Sequence, residues 1–207
     1  MKRLYLLRHG ETEWNADSRI QGSMDIPLSD EGRRQASSIS MFIKKLPPIE
    51  KVFHSNLKRA KETANIVSKS IGLNNLEENP LLREINCGLW EGMRLEELLK
   101  DYQNEYGMWR MDPSFQCPDG ESVEDVKKRI MEFFLNKSEE LKKIETILIV
   151  AHGLFNRAML SFIMDLPLQQ CRYFEQDNCA LNIFVWGEVM PHLALWNFTY
   201  NCDGEEK

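Results

Sequence analysis

The sequence predicts an α/β protein with a mostly parallel central sheet, and two patterns support this prediction. Residues 146–151 read TILIVA, a nearly continuous apolar run that is typical of a central parallel strand covered on both faces. Shorter apolar runs at 4–7, 52–53, 180–186 and 192–196 alternate with segments of helical periodicity. Strands that alternate with helices favour parallel pairing, because each helix carries the chain back to the same end of the sheet.

The predicted helices have recognisable ends. Ser29 is a suitable N-cap, and two acidic residues follow it in the first turn. Apolar residues at helical spacing over 57–71 predict a second helix, with Gly72 as its C-cap. Ser122 opens a capping-box sequence, and the helical pattern after it continues as far as Leu141.

The length and composition indicate one globular unit. The chain has 207 residues, which suits a single domain over 1–207. Residues 85–121 are richer in Trp, Met, Pro and Gly and less periodic, so we interpret them as a cap-like insertion. The last two strands flank residues 187–191 and predict a C-terminal hairpin. The net charge of −6 argues against general nucleic-acid binding, although it leaves room for a local basic pocket.

Several features predict a cytoplasmic protein. No apolar run approaches the length of a membrane span, and Arg8 interrupts the first run too early for a signal peptide. The five cysteines include no C-x-x-C pair, which favours free thiols in a reducing compartment. We therefore expect no membrane or nucleic-acid partner. Monomer and homodimer both remain open.

Polar residues follow three of the predicted strands. The first strand ends in Arg8 and His9, the second in His54 with Arg59 soon after, and TILIVA in His152. Ligands of open α/β sheets bind at the carboxyl ends of the strands. We therefore expect two histidines and two arginines to converge on one crevice.

These residue types suit phosphoryl chemistry. Arginine forks match a phosphate group, an imidazole is a good nucleophile toward phosphorus, and a second histidine can donate to the phosphoryl oxygens. Gly10 and Gly153 follow the two histidines and would let the backbone approach a ligand closely. Glu84, among apolar neighbours in LLREINCGLWEG, is the best candidate to supply a proton to the leaving alcohol.

Six motifs together resemble the histidine phosphatase superfamily, which includes the cofactor-dependent phosphoglycerate mutases. They are LRHGETEWN at 7–15, RIQGSMDIPLSDEGRRQA at 19–36, HSNLKRAKETA at 54–64, LREINCGLWEG at 82–92, CPDGES at 117–122 and VAHG at 150–153. The resemblance implies a three-layer α/β/α sandwich and a phosphohistidine intermediate on His9. It implies that Glu84 is the general acid and base, and that the enzyme needs neither a metal nor a cofactor.

The resemblance also implies which residues bind the phosphoryl group of a small-molecule phosphate monoester. They are Arg8, Asn15, Gln21, Gly22, Arg59, His152 and Gly153. His54 stands where relatives commonly have serine, and we expect it to pack rather than to bind phosphate. A metal site built from histidines and Glu84 is an alternative, which the two neighbouring arginines disfavour by charge repulsion.

Two segments distinguish hydrolysis from isomerisation. Mutases of this family share E-R-H-Y-G and a carboxylate-binding W-R-R, whereas this chain has EINCG at 84–88 and WRM at 109–111. GLWEG at 88–92 resembles the phosphatase branch, which includes the α-ribazole and broad-specificity phosphatases. We therefore predict a metal-independent phosphomonoester hydrolase. The alternatives are a phosphoglycerate mutase, which would use 2,3-bisphosphoglycerate, and a non-catalytic phosphate-binding regulator.

The Trp and Met residues over 90–111 fit either a substrate pocket or ordinary core.

Overall fold

A six-stranded sheet forms the centre of the protein. The computed structural model describes residues 1–188 and 190–201. The strands are β1 (Arg3–Arg8), β2 (Lys51–His54), β3 (Leu76–Glu78), β4 (Thr146–Ala151), β5 (Leu181–Trp186) and β6 (Pro191–Phe198). Their order in the sheet is β3-β2-β4-β1-β5-β6. β1 to β4 run parallel to one another, β5 runs antiparallel to β1, and β6 runs antiparallel to β5. These pairings confirm the mostly parallel sheet and the C-terminal hairpin.

Eight α-helices lie in the described ranges. They are α1 (Glu13–Ala16), α2 (Asp30–Ile43), α3 (Lys58–Ile71), α4 (Leu95–Asp101), α5 (Gln103–Met111), α6 (Val123–Asn136), α7 (Ser138–Leu141) and α8 (Gly153–Ile163). The Ser29 side chain accepts from the Gly32 amide, and Gly72 adopts a left-handed conformation, as the cap signals predict. The pattern that starts at Ser122 is not one helix, because Lys137 separates α6 from α7. None of the helices in this part of the chain is long and apolar enough to cross a bilayer.

Apolar side chains cover both faces of the sheet. Leu4 and Ile149 belong to a core on one face that also contains α6 and α8. Tyr5 and Val150 belong to a core on the opposite face, formed with α2 and α3. Successive residues of a strand point to opposite faces, so the continuous apolar runs supply both cores. The result is a three-layer α/β/α arrangement.

The sheet topology brings the predicted strand ends together. β4 lies between β1 and β2, with Arg8 in register with Ala151 and His54 in register with Val150. The residues that follow β1 and β4, His9 and His152, therefore emerge side by side. This juxtaposition places the chemistry predicted from the sequence at one edge of the sheet.

Residues 85–121 contain α4, α5 and a 3₁₀ turn at Gly88–Trp90. Trp90 is fully buried, and the rings of Tyr102, Tyr106 and Trp109 pack edge-on around it. The sequence left pocket and core open for these aromatic residues, and the structure assigns one tryptophan to each. Trp90 belongs to the core, whereas Trp109 lines the cavity described below. The interpretation of the segment as a cap on a single domain stays a prediction.

Candidate active site

A cavity of about 280 Å³ opens at the carboxyl ends of the parallel strands. Eight of the residues predicted for the site line it: Arg8, His9, Asn15, Gln21, Gly22, Arg59, Glu84 and Gly153. His152 is fully buried beside the cavity, and its ring centroid lies 5.2 Å from that of His9. The volume is at the small end of ligand pockets, which favours a small substrate.

The hydrogen bonds of His9 define its tautomer. Its Nδ1 lies 2.7 Å from the Gly10 carbonyl oxygen, and its Nε2 lies 3.2 Å from Nε of Arg59. A carbonyl can only accept and a guanidinium can only donate, so Nδ1 carries the proton and Nε2 presents its lone pair. Nε2 is therefore the ring nitrogen that has a lone pair for nucleophilic attack.

The surroundings keep this imidazole neutral. Burial lowers the pKa of His9 well below its usual value, and the nearby Arg59 and Arg8 guanidiniums lower it further. Burial and the same two arginines, together with His9, also lower the pKa of His152. Neither ring nitrogen of His152 has a hydrogen-bond partner among the described residues. A buried imidazole of this kind can donate to an anion that enters the cavity.

Backbone carbonyls hold the two arginines in place. Arg59 donates from Nη1 to the Met24 oxygen at 2.6 Å and from Nη2 to the Gly22 oxygen at 2.8 Å. Arg8 donates from Nη1 to the Gln176 oxygen, while its buried Nε has no partner in the described part of the chain. Burial lowers the pKa of Arg59 to about 10, so the group remains cationic at neutral pH. Both forks are oriented before any ligand binds.

Glu84 lies in a more polar place than its sequence neighbours indicate. Its Oε2 accepts from the Leu154 amide and its Oε1 from the Phe155 amide, both at 3.0 Å. These amides belong to the first turn of α8, where the helix dipole favours a negative charge. The expectation of apolar surroundings is therefore wrong. The Oε1 atom also accepts from the Ile85 amide at 3.1 Å, which uses both of its lone pairs. The Oε2 atom keeps a second lone pair, so the group can still carry or receive a proton there.

Asn15 and Gln21 contribute in different ways. The Asn15 Oδ1 accepts from the Thr12 amide and from Nδ2 of Asn178, so this side chain mainly fixes the loop after β1. The Gln21 Oε1 is buried and has no partner among the described residues. Gly22 has a φ of +50°, and a Cβ there would lie 2.2 Å from Oε1 of Glu91. The turn therefore requires glycine at this position.

Two expectations at the strand ends have different outcomes. His54 is buried, its Nδ1 lies 2.8 Å from the Ser55 carbonyl oxygen, and it does not line the cavity, which agrees with a packing role. A Cβ at Gly10 would lie 2.4 Å from the Gly32 carbonyl oxygen, so packing alone requires a glycine here, and its approach to a ligand stays a prediction. Close packing of β1 onto α2 explains this glycine. No cluster of three or more His, Cys, Asp or Glu side chains in the described ranges could hold a metal ion, so the structure lends no support to the alternative metal site.

The cavity includes residues to which the sequence assigned no role. They are Arg19, Ile20, Ile85, Cys87, Leu154, Arg157 and Gln176. Trp109 of α5, which the sequence left open between pocket and core, also lines the cavity. Arg157 lies one helical turn after Gly153 on α8, and this spacing is a signal that could have placed it. Gln176 follows a 3₁₀ turn in an irregular segment, so no periodicity points to it.

A neutral histidine with an unprotonated ring nitrogen, two arginine forks and a carboxylate are the parts that phosphoryl transfer needs. The family comparison agrees, since the model of the histidine phosphatase superfamily (branch 1) matches residues 4–199. The chain belongs to this superfamily, whose members include phosphatases and phosphotransferases.

The relatives and solved structures that resemble this chain include both a mutase and phosphatases. A probable phosphoglycerate mutase GpmB from Cronobacter sakazakii is 34% identical over 187 residues, which cover 88% of this chain and 84% of that protein. A mycobacterial glucosyl-3-phosphoglycerate phosphatase, solved with VO3, has a TM-score of 0.86 at 27% identity, over 95% of this chain and 99% of that one. The α-ribazole phosphatase of Shigella flexneri has a TM-score of 0.82 at 26% identity, over 94% of this chain and 96% of that one.

Proposed function

We propose that this protein hydrolyses small phosphomonoesters through a phosphohistidine intermediate on His9. One observation carries the proposal: His9 lines the cavity with its Nε2 unprotonated, Arg59 donates to that nitrogen, and Glu84 lies on the same cavity wall. The substrate is a small-molecule phosphate monoester that enters the cavity with its phosphoryl end toward the strand ends.

In the first step, Nε2 of His9 attacks phosphorus. A nitrogen–phosphorus bond forms, the bond between phosphorus and the ester oxygen breaks, and Glu84 gives the departing alkoxide a proton. Arg8 and Arg59 neutralise the charge on the phosphoryl oxygens, and His152 donates an N–H to them. The Nδ1–H bond to the Gly10 carbonyl keeps the ring in the reactive tautomer and disperses the positive charge that develops on it.

In the second step, water replaces the alcohol. The Glu84 carboxylate takes one proton from a water molecule, whose oxygen attacks phosphorus as the nitrogen–phosphorus bond breaks. Inorganic phosphate leaves, and His9 regains its lone pair at Nε2. The two amides of α8 hold Glu84 in one orientation for both proton transfers.

The composition of the cavity wall supports hydrolysis over isomerisation. Ile85 and Cys87 stand where the mutase segment has arginine and tyrosine, and both line the cavity. Arg110 and Met111, at the positions of the mutase W-R-R arginines, are exposed and do not line it. The charged and polar groups of these two mutase segments are therefore missing from the cavity wall. The phosphoglycerate mutase reading, favoured by the names of the sequence relatives, is the second candidate.

A panel of phosphomonoesters in excess EDTA tests the proposal. We expect the wild type to release phosphate, and we expect His9→Asn to abolish release and the acid-labile phosphoenzyme. His54→Asn is the matched control, because both histidines lie close to the carbonyl oxygen of the next residue through Nδ1. An asparagine amide can keep that contact at either position, so only the loss of Nε2 at His9 should stop turnover.

The same reactions also test the second candidate, a phosphoglycerate mutase. 3-Phosphoglycerate is included, and formation of 2-phosphoglycerate is followed with and without 2,3-bisphosphoglycerate. Isomerisation without phosphate release would replace the hydrolase proposal by the mutase. Equal activity of His9→Asn and the wild type would reject phosphohistidine chemistry altogether.

We also propose a cytoplasmic location. Cys87, Cys117, Cys171 and Cys179 are buried free thiols, and Cys202 lies outside the described residues. Buried unpaired cysteines support a reducing compartment. Whether the protein is a monomer or a homodimer stays a prediction.

A further inference from the structure

The cavity wall contains a further arginine, Arg157, in addition to Arg8 and Arg59. Arg157 lines the same cavity as Arg8 and His9, and its Nε donates to the Gly153 carbonyl at 3.3 Å. Gly153 in turn lies beside Arg8, since a Cβ at this glycine would be 3.5 Å from Nε of Arg8. Arg157 is therefore the next cation along the cavity wall.

Arg172 stacks on Trp109 of this wall without lining the cavity itself. Its guanidinium carbon lies 3.6 Å from the ring centroid of Trp109, which lines the cavity. Its Nη2 is buried and has no hydrogen-bond partner among the described residues. Stacking on an aromatic face fixes the plane of a guanidinium without using its N–H donors. Arg172 thus keeps a desolvated donor available.

The charges of these two arginines are not balanced within the described part of the chain. Neither Arg157 nor Arg172 forms an ion pair there, whereas the half-buried Arg83 and the buried Arg129 both bind Glu121. Burial lowers the pKa of Arg172 to about 10, and the positive charge of Arg157 contributes, so the two guanidiniums repel each other while still charged at neutral pH. Such an arrangement is costly unless an anion occupies it.

We infer that Arg157, with Arg172 held on Trp109, forms a second anion subsite for the group that leaves with the alcohol. The substrates are then small phosphomonoesters whose alcohol carries a further anionic group, either a carboxylate or a second phosphate. This inference rests on the proposed function. Arg8 and Arg59 already serve the transferred phosphoryl group, so the additional arginines have a different anion to bind.

Two matched substrate pairs test the subsite. 3-Phosphoglycerate and glycerol 3-phosphate differ by a carboxylate in place of a hydroxymethyl group. Propane-1,3-diol bisphosphate and 3-hydroxypropyl phosphate differ by a second phosphate. We expect kcat/KM to favour the doubly anionic member of at least one pair by about tenfold or more, as one charged hydrogen bond allows. The pair that shows the preference identifies the second anion.

Variants assign that preference to the arginines. Arg157→Met should lower kcat/KM at least about tenfold for the favoured member and less than about threefold for its singly anionic partner. Arg34→Met is the control for loss of charge, because Arg34 is exposed on α2, pairs with Glu31 and is not among the residues that line the cavity. Circular dichroism and melting curves check folding. If Arg157→Met does not fold, Arg172→Met provides the same comparison.

The outcomes separate the two proposals. Absence of a preference in both pairs would overturn the subsite, and so would an equal loss for both members in the folded variant. In either case phosphate release that depends on His9 would still support the proposed function. Absence of such release from all four substrates and from the wider panel would overturn the proposed function itself.

Discussion

Acid should destabilise this protein through two buried histidines. The pKa values of His9 and His152 are lowered well below 6.5 by burial and by the neighbouring arginines, so both stay neutral in the folded state. In the unfolded chain each histidine takes up a proton near pH 6.5. Below that pH the unfolded state therefore binds more protons, and the free energy of unfolding falls as the pH falls. The loss continues until the pH reaches the folded-state pKa values.

The magnitude follows from the number of protons. Each histidine contributes a slope of about 1.4 kcal/mol per pH unit, so the pair contributes about 2.7 kcal/mol per unit over this window. Domains typically have only about 5–15 kcal/mol of stability, so one pH unit is a substantial fraction. Carboxylates such as Glu77 and Asp125, whose pKa values lie below the usual range because of their lysine partners, lose their stabilising charge only at lower pH.

Urea unfolding between pH 5 and 8.5 measures this slope. We expect His152→Asn to reduce the slope below pH 6 by about 1.4 kcal/mol per unit relative to the wild type. Above pH 7.5 neither histidine binds a proton in either state, so the two slopes should coincide there. Identical slopes below pH 6 would mean that His152 is protonated in the folded protein. That result would refute the conclusion that burial and the neighbouring arginines keep His9 and His152 neutral.

Three further substitutions test separate parts of the structure. Glu84→Gln should slow phosphoenzyme formation about 10²–10⁴-fold with alkyl phosphates but less than about tenfold with nitrophenyl phosphate, whose leaving group hardly needs a proton. Rapid-quench measurements that show equal losses would remove Glu84 from the acid role. Gly10→Ala should cost about 1–3 kcal/mol in urea melts, because its Cβ would clash with the Gly32 carbonyl. Unchanged stability would show that β1 and α2 separate easily. Ser122→Ala should cost about 1 kcal/mol through loss of the α6 cap, with kcat/KM unaffected. A change in kcat/KM would connect α6 to the site.

The sequence predicted those elements whose signals are local. The run TILIVA matches β4 residue for residue, and the caps at Ser29, Gly72 and Ser122 are all present. Because the strand ends were located correctly, the principal site residues followed from topology alone. The family motifs then added Asn15, Gln21 and Gly22, which no periodicity identifies.

The missed features depend on contacts between distant segments. β3 has only three residues, two of them glutamates, and forms because it pairs with β2. Its Glu77 binds Lys51 of β2 and also Lys137, at the break between α6 and α7. The position of Glu84 likewise depends on α8, which lies about seventy residues further along the chain. Propensity and spacing carry no information about such partners.

The strand pairing also determines when the site comes into existence during folding. Arg3 of β1 pairs with Thr146 of β4, so the first strand joins the centre of the sheet only after most of the chain has been synthesised. Contacts so distant in sequence are closed slowly, because the loop entropy must be overcome before the pairing stabilises the chain. Until β4 has emerged, His9 and Arg59 have no His152 beside them and no α8 to orient Glu84. An incomplete chain therefore carries His9 and Arg59 without the residues that complete the cavity around them.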